Sequence, residues 1–284
     1  MHMTIQTTWG HLVVWYLFLA GAGAGLYLIA IGCKLWKNNT SLAKMAYYIS
    51  PLLVTAGTLF LLLDLGQPLR AALAILRPHS SMISVGTLIL ALFMTVTFWQ
   101  AYQVFRGRNT SSMLDYAGLC LALGTAAYTG LLLGVVKAIP FWNNPLLPIL
   151  FVVSALSSGL GIILAWNGRT NQTSSTMAEL LSSLFRLDAG LVAVEAIFIT
   201  CWLLVAVNGS AASLASAQFL LSGFLALPFW LVVIGAGVIM PVVLKVTGRL
   251  ASSSGSILCG ISLLAGALAL RYGVVLAGVW VPLY

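Results

Sequence analysis

The sequence predicts an all-α, polytopic integral membrane protein with eight transmembrane helices and both termini on the outer face. Three observations carry that reading. Hydrophobic residues fill 61% of the 284 positions and charged residues only 6%, with a mean hydropathy of +1.06. A water-soluble surface needs far more charge. Apolar runs of about 20 residues, each able to cross a hydrocarbon core of roughly 30 Å, recur along the chain. Basic residues crowd alternate loops, as in chains threaded through a bilayer. No long soluble segment remains between the runs, so residues 1–284 read as a single transmembrane domain. The net charge of +8 then reflects loop lysines and arginines rather than a nucleic-acid-binding surface.

The runs fall at about 12–33, 47–66, 83–105, 116–138, 146–166, 187–207, 217–244 and 257–280. Lys34, Lys37, Lys44, Arg106, Arg108, Arg169, Arg186, Lys245 and Arg249 follow the first, third, fifth and seventh runs. Arg70, Arg77 and Lys137 lie on the opposite side, and Arg271 lies inside the last run. The positive-inside rule puts the larger group in the cytoplasm, which sends both termini outward from a cell inner membrane. No cleavable signal peptide is expected, because residues 1–11 lack a basic n-region.

The first run contains Gly21-Ala-Gly-Ala-Gly25, small residues that let helix backbones approach closely. His11 and the Trp15-Tyr16 pair precede it. His11 can carry a proton near neutral pH or be a solvated loop residue, and the aromatic rings fit an interfacial belt. The second run ends in DLGQPLR, with Gly66 and Pro68 as terminators. Asp64 there can pair with Arg70 as a structural cap, or accept a proton beside a lipid-soluble ligand. Asp115 is expected to N-cap the fourth helix. Tyr128 places a hydroxyl inside that helix, and such a group needs a partner or a task.

Three prolines (Pro140, Pro145 and Pro148) stiffen the next connection, and Trp142, Asn143 and Asn144 are expected at the membrane–water interface. Ser154, Ser157 and Ser158 read as helix-packing hydroxyls. Residues 167–182 form the most polar stretch, expected as a cytoplasmic connector. The sixth run begins at Asp188 and carries Glu195 seven residues on, almost two turns, so both carboxylates share a face. Pro228 and Pro241 suggest kinks in the seventh run.

Ordered by depth, Asp188, Glu195, Arg271, Tyr128, Asp64 and His11 form a ladder across the membrane. A ladder of this kind moves protons or braces the bundle, and a buried Arg271–Glu195 pair suits either role. The four cysteines are scattered singly without a CxxC motif, and the three histidines (His2, His11 and His79) lie at a terminus or in loops. No haem, iron–sulfur cluster or other metal is therefore expected in this chain.

At this point the chain resembles a known family, the NrfD-like membrane subunits of polysulfide reductase and related complex iron–sulfur molybdoenzymes. The resemblance rests on WYLFLAGAGAGLYL (15–28), DLGQPLR (64–70), YTGLLLGVVKAIPFWNNPLLPILFVVSALSSGLG (128–161), the Asp188 to Glu195 helix and LRYGVVLAG (270–278). It implies a haem-free bundle of eight helices with a quinone site near the outer face. His11 and Tyr128 would then be quinone-head ligands, with Asp64 beside them. Asp188, Glu195 and Arg271 would lie on or near a proton route. The implied quinone is menaquinone before ubiquinone. The implied partners are a four-cluster iron–sulfur subunit docked outside and a molybdenum or tungsten catalytic subunit. Two rivals stay open on the residues alone: a proton-coupled transporter, and a membrane anchor without a quinone site.

Overall fold

The computed structural model describes residues 4–37, 39–66, 82–170 and 175–281 of the chain. Eight helices among them are long and apolar enough to cross a membrane. They begin with α1 (His11–Lys37), α2 (Thr40–Leu65), α3 (Met82–Phe105), α4 (Ser112–Gly134), α5 (Leu146–Thr170) and α6 (Ser175–Val207). A shorter apolar helix, α7 (Ala211–Leu221), precedes the last two spans, α8 (Ala226–Val246) and α9 (Ser253–Leu276).

The glycine-rich helix α1 stands at the centre and packs against α2, α4, α5 and α9. Its three glycines serve three different neighbours. A Cβ on Gly23 would meet Val54 of α2 at 2.9 Å. A Cβ on Gly25 would run into the Ala155 carbonyl of α5, and Gly159 of α5 returns that contact. A Cβ on Gly21 would meet the Arg271 guanidinium of α9 at 2.8 Å. The motif therefore packs helices closely and also makes room for a buried charge.

Two short strands, β1 (Thr4–Ile5) and β2 (Val279–Trp280), pair antiparallel, so both chain ends meet at one end of the bundle. The proline-stiffened connection is tucked into the same end. Trp142, expected at the headgroup level, is fully buried instead. Its indole N–H donates to the Val274 carbonyl at 2.7 Å, and its ring lies 5.4 Å from that of Trp9. A buried indole needs such a partner, and the free carbonyls at the end of α9 supply it. Asn144 caps the start of α5 by accepting from the Leu146 N–H, while the exposed Asn143 donates to the Gly134 carbonyl at 2.5 Å.

Several elements differ from the sequence reading. The polar stretch 167–182 is mostly helix, since α5 runs to Thr170 and α6 starts at Ser175. At 1.5 Å per residue the 33 residues of α6 span about 50 Å, so its first turns project beyond a hydrocarbon core. The run at 217–244 divides at residues 222–225 into the end of α7 and the start of α8. Within α8, residues Phe229–Ile239 form a π-helix between Pro228 and Pro241, with the Met240 N–H bonding back five residues to Gly235. Proline has no N–H for the usual ladder, and widening is one way a helix absorbs that loss. Asp115 is not the N-cap of α4. Ser111 holds that position by accepting from the Met113 N–H, and Asp115 turns inward to become fully buried.

Candidate functional site

The polar residues of the bundle collect in two places. At the end opposite the chain termini, Asp115 accepts from the Lys34 ammonium at 2.5 Å, from the Tyr47 hydroxyl at 2.6 Å and from the Gln100 amide at 3.0 Å. Lys34 also donates to Thr110 and Tyr47, and the Tyr27 hydroxyl donates to Gln100. Lys34–Asp115 is the one ion pair among the described residues. It ties α1, α2, α3 and α4 together with every polar group in use.

The second collection runs through α5, α6 and α9. Arg271 is wholly buried. Its Nε donates to the Leu17 carbonyl at 3.1 Å, and its Nη1 donates to the Ser154 hydroxyl at 3.1 Å and the Ala267 carbonyl at 2.9 Å. The Phe151 ring lies 5.2 Å away, within cation–π range. Its Nη2, beside Gly21, has no partner. Glu195 accepts from the Ser157 hydroxyl at 2.8 Å. Ser154 and Ser157 lie three residues apart, so they share one face of α5.

A direct Arg271–Glu195 pair is therefore absent among the described residues, and two hydroxyls stand between the charges. Close packing of α5 against both α6 and α9 inserts the serine face where a direct contact would otherwise form. Each hydroxyl can donate and accept at once, so the series can pass a proton as well as bridge charges.

Asp188 lies two turns before Glu195 on α6, about 10 Å along the axis. It is buried, within electrostatic reach of Lys245 and Glu195, and one of its oxygens has no partner. A cavity of about 10 Å³, at the lower limit of what holds one water, adjoins Glu195 between α6, α8 and α9. Gly237 of the π-helix and Gly266 of α9 form part of its wall.

Toward the chain termini lie two buried tyrosines. Tyr128 of α4 is buried and packs against Gly86 of α3, where any Cβ would strike its ring. Tyr16 of α1 is fully buried, its hydroxyl has no partner, and Tyr128 is close enough to interact with it electrostatically. Trp15 stacks on Phe60 of α2 at 6.3 Å, and Phe60 lies one turn before Asp64. Asp64 is exposed near the end of α2, where Gly66 adopts the left-handed conformation that stops the helix. Pro68, Arg70, Arg77, His2 and His79 lie outside the described residues. His11 is the exposed first residue of α1 and packs 5.6 Å from the Tyr272 ring, next in sequence to Arg271.

The six residues singled out in the sequence thus fall into four groups, one of them Asp64 alone, exposed near the end of α2. Glu195 and Arg271 are each held by serines that read from the sequence as packing hydroxyls, and Asp188 lies two turns from Glu195 on the same helix. His11 packs beside Tyr272. Tyr128 has Tyr16 as its polar neighbour, a residue the sequence reading placed in an interfacial belt.

An eight-span helical bundle with buried, incompletely paired charges defines a polytopic membrane protein with polar chemistry in its interior. The chain belongs to the NrfD polysulphide reductase family, whose model matches residues 1–282. It is 34% identical over 306 aligned residues to the C chain of polysulfide reductase from Wolinella succinogenes, with 94% of each protein covered. It is 29% identical to protein NrfD of Escherichia coli, with 95% of this protein and 94% of that one covered. The C subunit of selenate reductase from Mesobacillus selenatarsenatis is 26% identical over 66% of this protein and 55% of its own length.

Proposed function

We propose that this chain is the quinone/quinol-reacting membrane subunit of a molybdo- or tungsto-oxidoreductase complex. The observation that carries the reading is the open series of buried polar groups. Asp188, Glu195, Ser157, Ser154 and Arg271 lead through the interior, and Tyr16 and Tyr128 lie toward the end where the chain termini meet. The names of the relatives, one a polysulfide reductase chain and one a selenate reductase subunit, support a role inside a multi-subunit reductase.

Quinone reduction takes up two electrons and two protons, and quinol oxidation releases them. The unpartnered Tyr16 hydroxyl beside Tyr128 is a donor set that fits a quinone carbonyl oxygen. The His11 imidazole is the donor for the second oxygen, and Asp64 exchanges protons at the mouth. Trp15 and Phe60 offer apolar surface to the ring. Glu195 and Asp188 exchange protons with the opposite face through the serine hydroxyls. Electrons pass to or from a four-cluster iron–sulfur subunit docked where the chain termini meet, and then the molybdenum or tungsten subunit. That end faces outward from the cell inner membrane, since the lysines and arginines concentrate at the other. Menaquinone is the favoured substrate over ubiquinone.

The test is quinone-linked turnover by the assembled complex, read with mass spectrometry of the co-purifying subunits and extracted lipids. Tyr128→Phe is expected to lower turnover about 100-fold, within the range for a positioned proton donor, while leaving assembly intact. Unchanged quinone kinetics in that variant would remove Tyr128 from the site. A protein that purifies alone and without quinone would favour a proton-coupled transporter.

A further inference from the structure

At the end of the bundle opposite the chain termini, α1, α2, α3 and the α3–α4 connection enclose a cavity of about 470 Å³. Lys34, Lys44, Arg108, Tyr47, Tyr48 and Thr110 are among the residues lining it. Its inner wall is set by the Lys34–Asp115 cluster. There Tyr47 and Thr110 lie 2.9 Å apart, and Asp115 takes up the Lys34 charge. Lys44 and Arg108 differ from Lys34, because neither has a carboxylate within 4 Å among the described residues. Two uncompensated cations thus face one concavity whose other polar side chains, hydroxyls, the Asn109 amide and the paired Lys34, include no carboxylate.

We infer that this cavity is a binding site for the phosphate headgroup of an anionic phospholipid. An arginine fork beside an ammonium matches phosphate oxygens in charge and geometry. Basic pockets between transmembrane helices are a known way to hold such headgroups. The surroundings point to a lipid rather than a free anion. Tyr48, which lines the cavity, is 41% exposed, and near it along α3 Tyr102 is 50% and Phe105 79% exposed. Apolar surface open beside a cationic pocket suits an amphiphile, whose acyl chains lie against the rings while its phosphate enters the cavity. The site uses none of the residues assigned to quinone or proton chemistry, so it stands apart from that reading.

The test uses the full-length protein in mild detergent and native mass spectrometry after delipidation, with added phosphatidylglycerol, phosphatidylcholine or inorganic phosphate. Wild type is expected to retain phosphatidylglycerol in preference to phosphatidylcholine, and millimolar phosphate is expected not to displace it. Lys44→Gln with Arg108→Gln should weaken retention about 30-fold, and each single change about fivefold. Lys245→Gln with Arg249→Gln removes the same charge from exposed positions at the same end and should leave retention unchanged. Equal loss in both double variants would reduce the effect to surface potential and overturn the site. Equal retention of the zwitterionic lipid, or displacement by inorganic phosphate, would also overturn it. Should the double variant fail to fold, the single variants carry the same comparison.

Discussion

Asp115 and Glu195 are both carboxylates buried inside the bundle, yet Asp115 takes up an ammonium, a phenol and an amide directly while Glu195 is served by serine hydroxyls alone among the described residues. Their cations differ in the same way. Lys34 reaches its carboxylate directly and spends its remaining donors on Tyr47 and Thr110. Arg271 is kept from Glu195 by serines and holds one nitrogen, Nη2, without a partner. A closed cluster fixes helices and has nothing left to offer a ligand or a proton. An open one is held less tightly, but its spare donors and acceptors can change partners. The difference separates a joint from a working surface inside one membrane domain.

The largest effect that would break this comparison comes from Asp115→Ala. It strands the Lys34 ammonium beside buried hydroxyls and should cost about 3–5 kcal/mol, the usual penalty for halving a buried pair. The readout is the melting temperature of the purified protein in detergent. Replacing both partners, Lys34→Met with Asp115→Leu, should restore most of the loss, because no uncompensated charge remains.

Glu195→Gln is the counterpart in the open cluster. The amide keeps the shape and still accepts from Ser157, so the melting temperature should change little. Proton-linked turnover should fall about 100-fold, in the range for removing a positioned proton carrier. Loss of assembly with normal specific turnover would instead make Glu195 a brace like Asp115.

The contrast between the two clusters was only partly legible in the sequence. The eight spans were legible, because a membrane core demands long apolar runs and the chain has eight of them. The shared face of Asp188 and Glu195 was also legible, since helix periodicity alone sets it. What periodicity cannot supply is the lateral neighbour. Lys34 and Asp115 are 81 residues apart, and nothing local distinguishes a paired aspartate from a capping one. Ser111, four residues earlier, was the better cap, and its presence is what frees Asp115 to turn inward. Tyr16 and Trp142 were misread for a common reason. An aromatic residue near the end of an apolar run has the same sequence signature whether it faces lipid or the core. Only burial in the folded bundle and, for Trp142, packing against Gly278 and a free carbonyl tell them apart.

The glycines of α1 sharpen the comparison at smaller scale. Gly25→Ala forces a methyl into the Ala155 carbonyl of α5, backbone that cannot move without separating the helices. A loss of about 1–3 kcal/mol is expected, the range for overpacking, with little change in turnover per assembled complex. Gly21→Ala presses on the far end of the Arg271 side chain and meets Ala155 only at an ordinary contact distance of 3.6 Å. Its melting temperature should stay near wild type while turnover falls, because the displaced nitrogen is the spare donor. If Gly21→Ala lowered the melting temperature as much as Gly25→Ala, Arg271 would be a packing residue and the open cluster would lose its distinction.

Trp142→Phe should give the smallest effect and tests whether the plug at the chain-termini end belongs to the closed class. Its indole N–H is fully used by the Val274 carbonyl, and its ring is wedged against Trp9 and Gly278. Phenylalanine keeps most of the packing and leaves one carbonyl unpaired, which should cost about 1 kcal/mol. A closed element loses stability and nothing else, so a slightly lowered melting temperature with unaltered quinone turnover is the expected pair of results. A fall in turnover at unchanged stability would mean that the plug positions Arg271. Val274 lies three residues after Arg271 on α9, so a shift in the tryptophan would reach the open cluster through less than one turn of helix.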